Sequence, residues 1–587
     1  MAIEKANREV KPKDRLKERE IEGIIKYIED LGKKRILVED IQDMIEQKIM
    51  EFKKYELAKR YIVYRYTRAL VRKKNTTDES ILGLIKTTNR YNPQTDSIQD
   101  VMTVAKQRNL IAGEVSKDLT NRILLPEKIT QAHNEGILYF HNSEYFLQPI
   151  FNSCTPNIED MLKNGTVINE KLINTPKDFI TACIVFSQIV LQIASNQYGE
   201  QIIDINFLGE FLNKTYNNLK EHNEKTSKLE DKLKAIISRG IEIIYYQLNT
   251  IISTDGDTPK VTIILNIDEE NKYYKENVMI IEEILRQKYK GMKNEKNEYI
   301  DSKVPKLIYI LNKETLLDGK YKNITELAIK CSEKTLYPEY KSSKNYNNRH
   351  TFNQGIVSIN LPQIAISANK DKNKFWDILD ERLDLCYEAL MCRHYALLGT
   401  LSDISPIHWR HGAIARMNSE NNIDKLLKSE QSTISLQYEG LTEVTQIMEE
   451  VSLNTRQGNE FAIKLLKYIK SKLDKWKQES NVNFILSGLE ETEAKYQLFK
   501  TDYEKGVLAE NIQNENSYKN SIIQKYNNEV KINDILKYET KIHNISTGGY
   551  KSYIDILYTK NEVQEKTNEL LEYIYNNGMY FKFKEIK

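Results

Sequence analysis

The chain has 587 residues, with 86 Lys and Arg against 84 Asp and Glu and a formal net charge of +2. That balance gives no electrostatic reason for nucleic acid or an anionic membrane surface as the main partner. Apolar residues make up 40% of the chain, but there are only 22 Gly and 11 Pro, about half the average share of those two, so a helix-rich protein larger than one ordinary domain is expected.

The N-terminal stretch MAIEKANREVKPKDR has no apolar run and does not read as a signal peptide. Residues 14–32 and 36–73 are predicted helices of a small N-terminal unit. The second places Ile41, Met44, Ile45 and Ile49 at helical spacing, and KKNTTDES (73–80) reads as its exit linker. The most apolar stretch, FITACIVFSQIVLQIAS (179–195), is broken by Ser187, Gln188 and Gln192. It is too short and too polar to span a bilayer, so a buried helix is predicted, in a soluble, cytoplasmic protein without membrane contact. Further on, VTIILNI (261–267), KLIYILN (306–312) and GIVSINLP (355–362) are β-branched runs among amphipathic segments, an alternation that favours an α/β barrel or sheet. KNEKNEYIDS (293–302) and KSSKNYNNRH (341–350) read as loops, and no 20–50-residue repeat is visible.

Chemistry-bearing motifs are sparse. The five cysteines, at 154, 183, 331, 386 and 392, form no CxxC pair and are odd in number, so a disulfide framework is not expected. HWRH (408–411) sets two histidines at i and i+3, but a metal site needs further ligands and no cysteine lies nearby, so a structural role is predicted. His133 and His141 read the same way. Gly548-Gly549, in ISTGGYKSYID, reads as a turn rather than a close approach to a ligand. There is no Walker loop and no GxGxxG.

Several longer segments carry more information. QRNLIAGEVSKDLTNRILLPEKITQAHNEGILYFH (107–141), NIEDMLKNGTVINEKLI (157–173), ITACIVFSQIVLQIASNQYGEQ (180–201), FNQGIVSINLPQIAIS (352–367) and ERLDLCYEALMCRHYALLGTLSDISPIHWRHGAIARM (381–417) follow one another in colinear order. Together they resemble the large chain of anaerobic (class III) ribonucleoside-triphosphate reductases. The resemblance implies a ten-stranded β/α barrel of the glycyl-radical type over residues 95–587, usually a homodimer. The helical stretch VEDIQDMIE…YIVYRYTRALVR resembles the second half of an ATP cone, so residues 1–75 are expected to be a degenerate ATP-cone-like helical unit. The opening KRDG hairpin of such a cone is not recognisable in REVKPKDRLKE, and ATP binding there is not expected.

In such reductases a C-terminal glycyl radical, installed by an iron–sulfur, S-adenosylmethionine-dependent activase, generates a thiyl radical on a finger-loop cysteine. A second cysteine on a strand supplies reducing equivalents, formate or a thiol system completes the reduction, and a four-cysteine zinc module precedes the radical glycine. Against that pattern no cysteine follows Cys392, and the chain ends at YNNGMYFKFKEIK, with Gly578 reading as a helix cap. Only fourteen residues, 341–354, separate Tyr340 from Gly355, and none is a cysteine. The family segment Asn-Cys-x-Leu-x-Asn-Leu-x-Asp-Met-Leu falls on Asn152 onward, which puts Ser153 at the cysteine position and Cys154 one residue beyond it, on the other face of a strand. Glu200 and Gln437 stand where the family has glycines.

The expectation is therefore a reductase homologue that is catalytically inactive as a single chain, with no catalytic residue, no metal site and no cofactor of its own. It is expected to be retained for binding nucleoside triphosphates or for association with itself or an intact reductase chain. The resemblance places nucleotide-binding residues at Asn152, Gln197, Tyr198 and Asn353. Two alternatives stand beside this: a working subunit completed in trans by a separate glycyl-radical polypeptide, and a structural relic without ligand.

Overall fold

The computed structural model describes residues 7, 10–30, 38–63, 65, 103–221, 226–347, 349–490, 493–508, 512, 515–526, 531–556 and 563–586. The chain divides into two compact units, Met1–Thr88 and Asn89–Lys587. In the first, helices α1 (Glu18–Glu29) and α2 (Val38–Glu51) are followed by a helical stretch over 55–63. The predicted continuous helix from 36 is thus broken at 52–54, where Lys53 adopts a left-handed backbone with φ 57°. The break returns the chain on itself, so that Leu57, Ala58 and Tyr61 join Val10, Leu16, Ile24 and Ile49 in one small core. The remainder of that predicted helix and its linker lie outside the described residues.

The second unit is built on a twelve-stranded sheet. Its strands are β1 (Leu138–Phe140), β2 (Ser153–Cys154), β3 (Gln201–Asp204), β4 (Val261–Leu265), β5 (Lys306–Leu311), β6 (Glu339–Ser342), β7 (Phe352–Asn360), β8 (Ser432–Glu439), β9 (Phe484–Ser487), β10 (Gln524–Tyr526), β11 (Ser552–Ile556) and β12 (Tyr580–Ile586). They lie in the order β9-β8-β7-β2-β3-β4-β5-β6-β12-β11-β10, with β1 added to β7. Strands β2 to β6 are mutually parallel, as are β7 to β9 and β10 to β12, and the sets meet antiparallel at β2/β7 and β6/β12. The sheet therefore has twelve strands where ten were expected, and β1 and β10 are three residues long. An isolated parallel bridge joins Ser487 to Gly549. Gly549 has φ 115°, and a side chain on Gly548 would lie 3.0 Å from the Leu486 carbonyl oxygen. The glycine pair therefore serves close passage of the chain beside β9, a role beyond the predicted turn.

The predicted strands are present, with shifted ends. The run predicted to reach Pro362 stops at Asn360, because Asn360 caps a new helix, Leu361–Ala368, by accepting from the Gln363 amide. The predicted loop 293–302 holds a small hairpin, Met292–Lys293 with Tyr299–Ile300.

The helices that position the strands are α3 (Ile158–Lys163), α4 (Phe179–Ala194), α5 (Leu208–Glu221), α6 (Thr226–Thr250), α7 (Tyr274–Lys290), α8 (Lys322–Thr335) and α9 (Lys372–Leu397). The apolar stretch predicted as a buried helix is α4. Phe186, Ile189, Val190 and Ile193 are fully covered within this one chain, packed in a core with strand residues Ile203, Ile263 and Leu265. A second core gathers Val357, Ile359, Leu436, Tyr438 and Phe484 under α9 and its neighbours. On the opposite, inner face of the sheet, Ile264, Ile308 and Ile310 pack with Ile202, Tyr346 and Tyr580. Strands buried on both faces read as unbroken apolar runs, which is why VTIIL was legible.

Strand β7 shifts register between Asn353 and Ile356. At Gly355 an added Cβ would sit 2.3 Å from Cδ of Arg393, whose side chain is buried. The Gly355→Ala variant is expected to lose about 1–3 kcal/mol through overpacking, read as a lower urea midpoint at unchanged slope. A midpoint equal to wild type would show that this contact is not tight.

Candidate functional site

The residues placed by resemblance converge on β2. This two-residue strand pairs antiparallel with β7, setting Ser153 opposite Asn353 and Cys154 opposite Phe352, and parallel with β3 through Cys154 and Gln201. Successive side chains on a strand leave opposite faces. Cys154 enters the helix-side core beside Phe151 and Phe352, so Ser153 takes the inner face with Asn353. Asn353 donates to Thr433 Oγ1 at 3.1 Å and Ser435 Oγ at 2.8 Å, while its Oδ1 is buried without a partner.

Cys154 donates its thiol proton to Gln197 Oε1 at 3.0 Å, and burial pushes this thiol far above its ordinary range. The same oxygen lies 3.2 Å from His408 Nε2, and Ser405 Oγ lies 2.7 Å from His408 Nδ1. Burial drives the His408 pKa down to about 3, which keeps the ring neutral. The Gln197 amide nitrogen donates to the carbonyls of Gly199 and Glu200 at 3.2 and 3.1 Å. Tyr198 stacks on Tyr145 at 5.2 Å, accepts from Arg393 Nη1 at 3.2 Å and donates to the Gln354 carbonyl. Asn152 is buried, and its backbone bridges Asn353 and Gly199.

His411, the partner of His408 in HWRH, lies beyond the four-residue helix Pro406–Trp409. Among the described residues, no group of three or more His, Cys, Asp or Glu is arranged to hold a metal ion, so the zinc that the resemblance implies finds no fitting donor set there. His141 Nε2 lies 2.7 Å from Ser358 Oγ, which donates to Glu439. His133 Nδ1 accepts from the Phe140 amide at 3.3 Å. Glu200 accepts from Thr262, and Gln437 donates to Glu439 and to the Leu489 carbonyl. Both side chains occupy positions where a glycine would leave space.

The segment between β6 and β7 makes a short 3₁₀ turn, Ser343–Asn345. Beyond it, Tyr346 packs on the inner-face isoleucines and donates to Asp204 Oδ2 at 2.7 Å. The other four cysteines all sit on helices: Cys183 on α4, Cys331 on α8, Cys386 and Cys392 on α9.

A cleft of about 420 Å³ opens where β2, β3 and β4 end, beside the first turns of α3, α5 and α7. Its lining includes Glu159, Lys163, Asp204, Asn206, Glu210, Asn266, Asp268, Asn271, Lys272, Tyr273 and His350. None of the four residues named by resemblance lines it. The sequence signal that was available is the amide- and carboxylate-rich tripeptide that follows each strand, DIN after QII and NID after VTIIL. Burial raises the Asp204 carboxyl to about 6, against the Asn206 amide and the Tyr346 hydroxyl that hold its charged form.

With this geometry in view, the comparisons with known proteins are informative. The family model described as "Anaerobic ribonucleoside-triphosphate reductase" matches residues 97–585, and an ATP cone domain model matches residues 1–70. The chain belongs to the anaerobic ribonucleoside-triphosphate reductase family. It is 27% identical to the anaerobic ribonucleoside-triphosphate reductase of Escherichia coli K12 over 567 residues, covering 89% of this chain and 78% of that one. Its identity to the enzyme of Enterobacteria phage T4 is 28% over 538 residues, covering 83% and 86% of the two chains. The fold is similar to the Thermotoga maritima anaerobic ribonucleotide reductase crystallised with dATP in the specificity site, with a TM-score of 0.65 at 16% identity, covering 87% and 91%.

Asp204 makes the site pH-sensitive in a defined direction. A carboxyl whose pKa is raised on folding holds its proton more tightly in the native state, so stability falls as pH rises from about 4 to about 6. Asp204→Asn is expected to remove a penalty on the order of 2 kcal/mol at pH 7.5 and little at pH 4, measured by chemical denaturation at the two pH values. A variant equally affected at both would contradict this.

Proposed function

We propose that this family member has kept the reductase scaffold and its nucleotide-binding role and does not carry out radical reduction by itself. The observation that carries the reading is the inner-face position of β2. It holds Ser153, and the neighbouring thiol of Cys154 is buried on the other face against Gln197. Reduction through a strand thiol needs a weak S–H bond at that position. A serine O–H bond is far stronger, so a serine does not donate the hydrogen. The second support is the turn at 343–345 followed by Tyr346, which occupies the stretch between β6 and β7 with no cysteine in it. Completion in trans by a separate glycyl-radical chain is disfavoured by the same two features, which lie inside this chain.

Nucleotide binding is supported by the family and by the Thermotoga maritima structures, one with dATP in the specificity site and one with dATP and CTP. On this reading the protein acts by binding nucleoside triphosphates and by associating with itself or with an intact reductase chain. Association through α4 must use its exposed stripe, Thr181 and Gln188 flanked by Ile184 and Leu191, because its apolar face is spent internally.

Thermal scanning against ribo- and deoxynucleoside triphosphates is expected to show stabilisation of about 2.7 kcal/mol at 100 times the dissociation constant. Anaerobic incubation with an activase, S-adenosylmethionine, reductant and formate is expected to yield no deoxynucleotide. Deoxynucleotide formation that disappears on Cys154→Ala would overturn the loss of chemistry. Absence of any triphosphate-dependent shift would overturn the binding role.

A further inference from the structure

The segment Tyr518–Ser521 belongs to no strand or helix, yet Tyr518, Asn520 and Ser521 are buried. Carboxylates from three elements grip it. The Tyr518 hydroxyl donates to Asp502 Oδ2 at 2.6 Å and the Lys519 amide to Glu443 Oε2 at 3.0 Å. The Asn520 and Ser521 amides both donate to Glu490 Oε1, at 2.8 and 2.6 Å. Asp502 lies on the helix Ala494–Glu504, Glu443 on the helix Leu441–Glu449, and Glu490 just beyond β9. Asn520 adds to the tie by donating to the carbonyls of Tyr438 and Gly488 and accepting the Leu441 amide. Asp502 also accepts from Asn360 and Gln363, both at 2.6 Å. The segment thus straps together the ends of β7, β8 and β9.

A strap tied by carboxylates depends on their protonation. None of the three is ion-paired among the described residues: the Lys519 ammonium goes to Glu515 at 2.6 Å, and Arg382 donates to Gln363 Oε1 at 2.6 Å. Glu443 and Asp502 are buried, and burying a carboxylate without a cation disfavours its charged form. Burial raises the Glu443 carboxyl to about 8; the Glu490 charge acts in the same direction, and the Lys519 amide and ammonium and the Glu443 amide act against it. The Tyr518 hydroxyl also faces Glu443. Burial raises Asp502 likewise, against the Tyr518, Asn360 and Gln363 donors and the Arg382 charge. A carboxyl that holds its proton more tightly in the closed strap than in an opened one favours closure at low pH. Opening therefore becomes easier as pH rises from about 4.5 to about 8 and levels off above that.

We propose that Tyr518–Ser521 is a proton-locked strap, tied across the strand ends while Glu443 is protonated and opening locally, ahead of the sheet it spans, when Glu443 is ionised beside Glu490. Protonated Glu443 still accepts the Lys519 amide through its carbonyl oxygen, so the lock keeps its hydrogen bond and loses only the buried charge. The device is independent of the nucleotide-binding reading.

The amides of Lys519, Asn520 and Ser521 report the lock directly, because each is bonded to a carboxylate. The test is hydrogen exchange of the full chain from pH 5 to pH 9, read by mass spectrometry and corrected for the intrinsic pH dependence of exchange. Peptides covering 518–521 are compared with peptides from the core helix α4. Protection of the strap is expected to fall by about tenfold per pH unit between pH 5 and pH 7.5, one proton being released on opening, and to level off above pH 8.5. Helix α4 is expected to keep its protection. Glu443→Gln keeps an acceptor oxygen and cannot ionise; with folding confirmed by circular dichroism, it is expected to shrink the total change by about tenfold or more. The wild-type series decides even where the variant does not fold. Strap protection that is flat from pH 5 to pH 8.5, or that changes in step with α4, would overturn the proposal. So would an undiminished pH dependence in folded Glu443→Gln.

Discussion

The pleat of a two-residue strand decides which face of the sheet its thiol and which its hydroxyl occupies. Strand β2 is clamped between β3 and β7, with Cys154 paired to both Gln201 and Phe352. A clamped strand cannot slip its register without exchanging the faces of both residues, and the faces are not equivalent. One is the helix-side core, where Phe151 and Phe352 pack beside Cys154; the other is the inner face, where Ser153 lies opposite Asn353. Register slip would bury a serine hydroxyl in that core and remove the thiol's hydrogen bond to Gln197. The placement of the thiol is thus held by packing and by the Gln197–His408–Ser405 network together.

The rest of the inner face is consistent with that arrangement. Ile202, Ile264, Ile308, Ile310, Tyr346 and Tyr580 pack together, and Tyr346 reaches from the β6–β7 connection to Asp204. Apolar packing of this kind stabilises the sheet. Beside it, the strand ends border a polar cleft lined by four carboxylates and two lysines. Scaffold and cleft persist in this chain without a thiol on the inner face of β2.

How much of this was legible in the sequence depended on length and on burial. Long elements buried on both sides, VTIIL on β4, KLIYIL on β5 and the apolar helix α4, were visible as unbroken apolar runs. Strands of two to four residues, such as Ser153–Cys154, Gln201–Asp204 and Glu339–Ser342, carry too few side chains for a period of two to be read. Their pairing is decided by long-range neighbours. The break at Lys53 was hidden for a different reason: the helical period continues on both sides of it, and only the return of Leu57 and Tyr61 onto Ile49 reveals the turn. Within the site, resemblance led to Asn152, Gln197, Tyr198 and Asn353, which the fold brings together around β2. The cleft residues were missed because single Asp and Asn residues after strands have no distinctive spacing. They become a site only when three parallel strands set their ends side by side.

Thiol accessibility tests the central claim most directly. Native protein, treated with an alkylating reagent and read by mass spectrometry, should leave Cys154 unmodified, and a Ser153→Cys variant should gain a modified residue at 153 while Cys154 stays protected. Modification of Cys154 in the native wild-type protein at the rate seen after unfolding would place that thiol on the accessible face and contradict the account.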